Sequence, residues 1–198
     1  QWLQAVTGSI RQAVRSLDVD ELAGLCAATT SCTVVCCTET GEHLAPAILW
    51  MDVRAGEQMR KIKQLTGQSI SAETFLCKAL WLKENEPRLW AKTQVLCEYQ
   101  DYLNHWLTGE WCFSANTACN WGYNNRKKAF DVDFLRAVGL EDLPDKIPAR
   151  AVCAGAPIAP LCAGAAAALG LPPGIPVVQG GIDSSIGMLG MGTVRPGD

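Results

Sequence analysis

The chain has 198 residues, of which 48% are hydrophobic and 19% charged, and its formal charge is −3. A domain of this size buries roughly 70% of its unfolded surface, so it can hold a real core. The weak negative charge gives no electrostatic basis for binding nucleic acid or an anionic membrane, and no apolar stretch reaches the ~20 residues of a membrane span. A small neutral molecule or another protein is the expected partner.

The opening Gln1-Trp2-Leu3-Gln4-Ala5-Val6 lacks the basic and then apolar regions of a secretory signal. It also lacks an initiator Met, which suggests a processed chain or an ordered fragment of something longer. Trp2, Leu3, Val6, Ile10, Val14 and Leu17 recur at three- and four-residue spacing and predict an amphipathic helix that ends at Asp18. Residues 22–27 and 33–38 are short apolar or β-branched runs, read as strands on either side of the polar Thr29-Thr30-Ser31. Thr40-Gly41-Glu42 is a turn.

Residues 47–51 predict another strand, leading into a helix over 55–65 that Gly67 stops. A helix over 72–84 closes at Pro87, and one over 99–107 stops at Gly109. Residues 111–125 are aromatic and polar without clean periodicity. A short helix over 133–138, a proline-studded loop over 144–160 and an Ala-rich helix over 161–169 follow. Residues 171–174 form a turn, 175–179 a buried strand, Gly180-Gly181 a tight break, and Ser184 opens the last helix. Strands interleaved with helices predict an α/β domain.

Ten cysteines are many for this length, but none form a C-x-x-C pair, and His43 and His105 lie far apart. That is not a zinc pattern. Thiols within runs such as Val34-Val35-Cys36-Cys37 behave as small hydrophobes, and the expected state is reduced, in the cytoplasm.

Three constellations carry chemistry. In Val177-Val178-Gln179-Gly180-Gly181-Ile182-Asp183-Ser184, an apolar strand runs into two glycines, an acid and a helix. Glycines there let the backbone approach a ligand, and open α/β sheets bind ligands beyond their strands' C-terminal ends. Asp183 is thus a candidate catalytic acid or base, or simply the cap of the helix. In Trp50-Met51-Asp52-Val53-Arg54, period-two alternation places Trp50, Asp52 and Arg54 on one side of an extended segment. An apolar ring face and two directional hydrogen-bonding groups suit a polyol. A core Trp beside a structural Asp–Arg pair fits equally well. The third, Thr29-Thr30-Ser31-Cys32-Thr33, could line a sugar pocket or merely turn the chain. Phosphate-loop, dinucleotide and nucleophile-elbow signatures are missing.

Taken in order, five segments resemble the FGGY family of carbohydrate kinases. They are Gly24-Leu25 with Thr30-Ser31-Cys32-Thr33; residues 46–55 around Trp50-Met51-Asp52-Val53-Arg54; and Lys78-Ala79-Leu80-Trp81-Leu82, close to a K-x-x-W-L signature. Asp101-Tyr102-Leu103-Asn104 with Trp106-Leu107-Thr108-Gly109, and Gly174 to Asp183, complete the set. The resemblance implies an actin-like, ribonuclease-H-like lobe, a mixed sheet flanked by helices, incomplete at its N-terminus.

By the same resemblance, residues 1–198 are part of the N-terminal, sugar-binding lobe of a longer kinase. The Asp-x-Gly-Thr phosphate hairpin and the ATP lobe lie elsewhere in that kinase. The lobe would phosphorylate a sugar or polyol, with a ketopentose the expected acceptor, using ATP and Mg²⁺ in the parent enzyme. Asp183 would be the general base. Ser31, Cys32, Trp50, Asp52, Arg54, Asn120, Gly181 and Ser184 would contact the substrate. The chain alone is expected to be inactive, and a homo-oligomer is possible.

The Trp50 segment resembles the pentulose-kinase branch, the ribulokinases and their relatives. Two positions depart from it: Ala28 stands where ribulokinases usually carry Asp, and Asn120 where some relatives carry a substrate-binding Lys. The competing reading is a non-catalytic, actin-like module that senses sugar or scaffolds an assembly.

Overall fold

The computed structural model describes residues 1–195, so the last three positions of the 1–198 span lie outside the described residues. It opens with α1 (Trp2–Ala13), whose apolar stripe Leu3, Val6 and Ile10 packs half-buried on the core. The Arg11 guanidinium donates to the carbonyls of Ala167 (3.0 Å) and Ala168 (2.7 Å) and so ties this helix to a later one. Asp18 accepts from the Asp20 amide and turns the chain, as expected.

The strands β1 (Leu25–Cys26) and β2 (Val34–Cys37) follow, then α2 (Gly56–Thr66), ended by Gly67 in the left-handed conformation, and α3 (Phe75–Asn85). Pro87 does not only close α3. It also opens α4 (Pro87–Lys92), at the one place in a helix where its missing N–H costs nothing. Next come β3 (Val95–Glu98), α5 (Tyr99–Thr108), β4 (Phe113–Ser114), β5 (Tyr123–Asn124), β6 (Ala129–Phe130) and α6 (Val132–Val138). The chain continues through β7 (Ala151–Val152), β8 (Pro157–Pro160), α7 (Ala163–Leu169), β9 (Pro176–Val178) and α8 (Asp183–Gly190).

The expected loop over 144–160 therefore contains two strands. Prolines at both ends of β8 hid it, since Pro is tolerated only where a strand's N–H is not needed. β3 was also unexpected: its four residues run directly into α5 with no turn residue between them.

The central sheet is mixed, in the order β1-β9-β8, with β1–β9 parallel and β9–β8 antiparallel. β2 and β3 form an antiparallel ribbon. One apolar cluster joins α2, α3 and α4 to one side of β2 and to the aromatic segment around Phe113 and Trp121. A second packs α5, α7, β8 and β9 together, with α1 laid against it. Cys36, Cys37, Cys77, Cys97 and Cys112 are buried, filling core space as small apolar groups.

Candidate active site

β1 and β9 run parallel, with Leu25 opposite Val177 and Cys26 opposite Val178, and the pairing continues as a bridge between Thr29 and Ile182. Gly180 sits at the closest approach. A Cβ there would lie 2.8 Å from the Ala27 carbonyl carbon, and closer still to its oxygen, so no other residue fits without moving backbone. From below, Gln100 of α5, itself buried, donates to the carbonyls of Ala27 (2.7 Å) and Gly181 (3.2 Å). Asn104, one turn on, donates to the Gln179 side chain at 3.1 Å. The two strand ends thus share one polar floor.

Asp183 emerges from this floor. Its amide donates to the Thr29 carbonyl at 2.9 Å, and it forms the first residue of α8. Its side chain is solvent-exposed, and Oδ1 accepts from the Ser184 amide at 2.7 Å. Among the described residues no hydrogen bond to Oδ2 is found. The carboxylate is therefore steered by the helix it begins while one oxygen stays open. Gly181 is buried with its carbonyl engaged, whereas Ser184 is exposed beside Asp183.

The hydroxyl-rich loop lies alongside. Thr33 Oγ1 accepts from the Trp50 amide at 3.1 Å and lies 3.3 Å from Thr30 Oγ1, so this loop and the Trp50 segment are joined. Cys32 has a φ of 63°, rare for a residue with a side chain. Ser31 Oγ lies 3.6 Å from its sulfur.

The Trp50 segment is not the expected strand. Only Ile48 bridges to Val34, and the chain then turns, with the Asp52 amide donating to the Leu49 carbonyl at 3.0 Å. Period-two alternation fails because a turn rotates successive side chains differently from a pleat. Asp52 and Arg54 nevertheless meet, in a forked pair with Nε 2.9 and 3.0 Å from the two carboxylate oxygens. Hydrogen bonding to Arg54 holds the Asp52 carboxyl below its usual range, and the same pairing raises Arg54. Arg54 also lies 4.9 Å over the Trp81 ring. The two groups satisfy each other, which is the structural-pair alternative.

An open recess of about 380 Å³ is lined by Trp2, Ala28, Thr29, Thr30, Thr33, Leu49, Trp50 and Tyr99, among others. It brings together the loop and the Trp50 ring, and Thr29 links it to Asp183. Asn120 is elsewhere: it is exposed and lines a separate recess with Thr74, Tyr123, Asn124 and Asp131.

Residues 1–190 match the N-terminal domain of the FGGY family of carbohydrate kinases. The chain belongs to this family. It is 34% identical to an FGGY carbohydrate kinase domain-containing protein of Xenopus laevis, over 95% of this chain and 36% of that protein. It is 32% identical to the L-fuculokinase of Escherichia coli K12, over 96% of this chain and 42% of the relative. The crystal structure of a xylulose kinase from Rhodospirillum rubrum superposes with a TM-score of 0.85 at 26% identity, over 99% of this chain and 42% of that one. The FGGY chain thus spans less than half the length of these relatives. The actin-like, ribonuclease-H-like fold is that of its structural neighbours.

What sequence reasoning missed in this FGGY domain is the support beneath the loop. Lys78 is fully buried, and its Nζ donates to the carbonyls of Cys32 (2.8 Å), Leu49 (2.7 Å) and Trp50 (3.0 Å). Burial lowers its pKa. The available signal was a lysine inside Phe75-Leu76-Cys77-Lys78-Ala79-Leu80, a stretch buried on every side. A charged group there needs partners. Glu98, also buried, accepts from Trp121 Nε1 at 3.1 Å and lies near the Cys32 backbone. Desolvation pushes its carboxyl up to about 7.

Proposed function

We propose that this domain forms the acceptor side of a sugar kinase, binding a ketopentose or related polyol beside Asp183, which takes the proton of the attacking hydroxyl. The observation that supports this best is the placing of Asp183. Its backbone is tied to the hydroxyl-rich loop, and one carboxylate oxygen stays open toward solvent. Trp50 offers a half-exposed ring for substrate carbons, and the Thr29–Thr33 loop offers hydroxyls. Ser31, Cys32, Gly181 and Ser184 border the same loop and helix start. Asn120, in its own recess, is not used in this reading.

Phosphoryl transfer passes through a loose transition state, so the acceptor side chiefly orients the hydroxyl and accepts its proton late. The family implies ATP with Mg²⁺ as phosphoryl donor. Among the described residues, no group of three or more His, Cys, Asp or Glu side chains converges to hold a metal. Mg²⁺ held with a nucleotide takes one or two carboxylates plus phosphate oxygens and water, so in this reading the chain supplies the acceptor side and turnover needs the rest of the parent protein.

The test is a coupled ADP-release assay on the full-length parent, offered ketopentoses, ketohexoses and polyols, with Asp183→Asn and the isolated domain alongside. Turnover on one sugar is expected, absent from the isolated domain and reduced at least about 10²-fold in Asp183→Asn with near-normal sugar binding. Comparable turnover by Asp183→Asn would remove the base assignment. The internally satisfied Asp52–Arg54 pair favours a second reading, a sugar-sensing or scaffold module. Sugar binding without turnover on any acceptor would select it.

A further inference from the structure

Cys32 is held by one buried ionisable side chain, with a second close behind it. Its carbonyl accepts from Lys78 Nζ at 2.8 Å, and the Glu98 carboxylate lies near its backbone. Lys78 is 0% exposed and Glu98 2%. Lys78 reaches from the first turn of α3, and Glu98 ends β3, so two elements distant in sequence converge on one loop residue. The residue gripped has the left-handed φ of 63°, which a side chain resists. Such a conformation persists only where its surroundings over-determine it. Lys78 also donates to the carbonyls of Leu49 and Trp50. One ammonium group therefore fixes both the hydroxyl-rich loop and the Trp50 turn.

We infer that Lys78 and Glu98 form a buried clamp that holds Cys32 left-handed, and thereby sets the geometry of the sugar-binding loop and of the Trp50 ring. Both are positioning residues, since neither faces the recess. The inference rests on the acceptor-site reading for its link to sugar, but the clamp itself is a property of the loop and can be measured without any sugar.

The charges facing the clamp are few. Lys78 of α3 faces the Cys32 thiol, Asp52 of the Trp50 turn, Glu73 before α3 and, most weakly, Glu98. Glu98 faces Asp101 of α5, which accepts amide hydrogens from Glu98 (3.1 Å) and Ser114 (3.2 Å). Burial raises both carboxyls. A protonated Glu98 no longer places a buried negative charge beside Lys78 and the Cys32 backbone. The clamp should loosen as pH falls through about 7.

The experiment uses the full-length protein and its Lys78→Met, Lys78→Arg and Glu98→Gln variants. Maleimide labelling of Cys32 is quantified by peptide mass spectrometry as a ratio to the exposed Cys153. In the unmodified protein the ratio is expected to rise as pH falls from 8 to 6. Glu98→Gln should abolish that pH dependence, and Lys78→Met should raise the ratio at least tenfold at pH 8. Lys78→Arg should fall between them. In the kinase assay, Lys78→Met should raise KM for the sugar at least tenfold while changing kcat less.

A flat pH profile in the unmodified protein, or an unchanged ratio in a folded Lys78→Met, would overturn the clamp. If Lys78→Met does not fold, the Glu98→Gln profile decides. If no sugar is phosphorylated, the labelling still decides the clamp, and only the kinase reading is lost.

Discussion

The two sides of the site are held in opposite ways. Asp183 is set by main chain: a parallel strand pair, a glycine pressed against a neighbouring carbonyl, and an amide bonded to Thr29. The Trp50 turn is set by side chains, chiefly one lysine reaching three carbonyls. Main-chain positioning tolerates substitution almost nowhere but needs no buried charge. Side-chain positioning leaves the turn's own residues free to vary, at the cost of burying an ammonium group. In the proposed acceptor reading, the first suits a carboxylate that would meet a reacting atom, and the second a surface that would match a substrate's shape.

This contrast can be broken most directly at Gly180. Gly180→Ala should destabilise the domain by about 4 kcal/mol or more, in the extreme range for single substitutions, because backbone must move. Urea unfolding reads the effect, and a loss under about 1 kcal/mol would mean that the strands part easily. On the other side, Lys78→Met leaves three carbonyls without their donor and Glu98 without its nearest cation. A loss of about 3–5 kcal/mol is expected in the same measurement.

Glu98 sharpens the comparison through pH. An unfolded Glu titrates near about 4.3, whereas the folded group holds its proton to about 7. Between those values the folded state binds more protons, so stability falls as pH rises through this window. The slope for one such proton is at most about 1.4 kcal/mol per pH unit. Glu98→Gln should reduce it, as thermal unfolding at pH 5 and pH 7 would report. The smallest effect belongs to the Asp52–Arg54 pair, whose side chains are 24% and 44% exposed. Arg54→Ala should cost under about 1 kcal/mol in urea, mostly recovered in high salt.

Much of this arrangement was legible in advance. The helices stopped by Gly67 and Gly109 were readable because glycine there takes the left-handed conformation. The Gly180-Gly181-Ile182-Asp183 junction was readable because strand, glycines, acid and helix follow one another in the chain. The extended Trp50 segment was misjudged, since alternation along five residues does not distinguish a strand from a turn. Asn120 was joined to the substrate by resemblance alone, and the structure gives it a different recess. Lys78 was read only as part of the K-x-x-W-L segment and Glu98 not at all, for a physical reason: the carbonyls that Lys78 reaches lie 28 to 46 positions away and Trp121 lies 23 from Glu98, so no local pattern names them as partners.

The paired glycines leave one problem that α5 answers. If β9 slid forward by one residue, Gly181 would replace Gly180 opposite Ala27, and neither has a side chain to collide. Sterics alone therefore leave that misalignment open. Because strand side chains alternate, the slip would also turn Gln179 to the opposite face and break its bond to Asn104. Asn104 and Gln179 thus act as the index mark of the sheet, fixing which residue of β9 faces Ala27 and so how far along the chain Asp183 emerges.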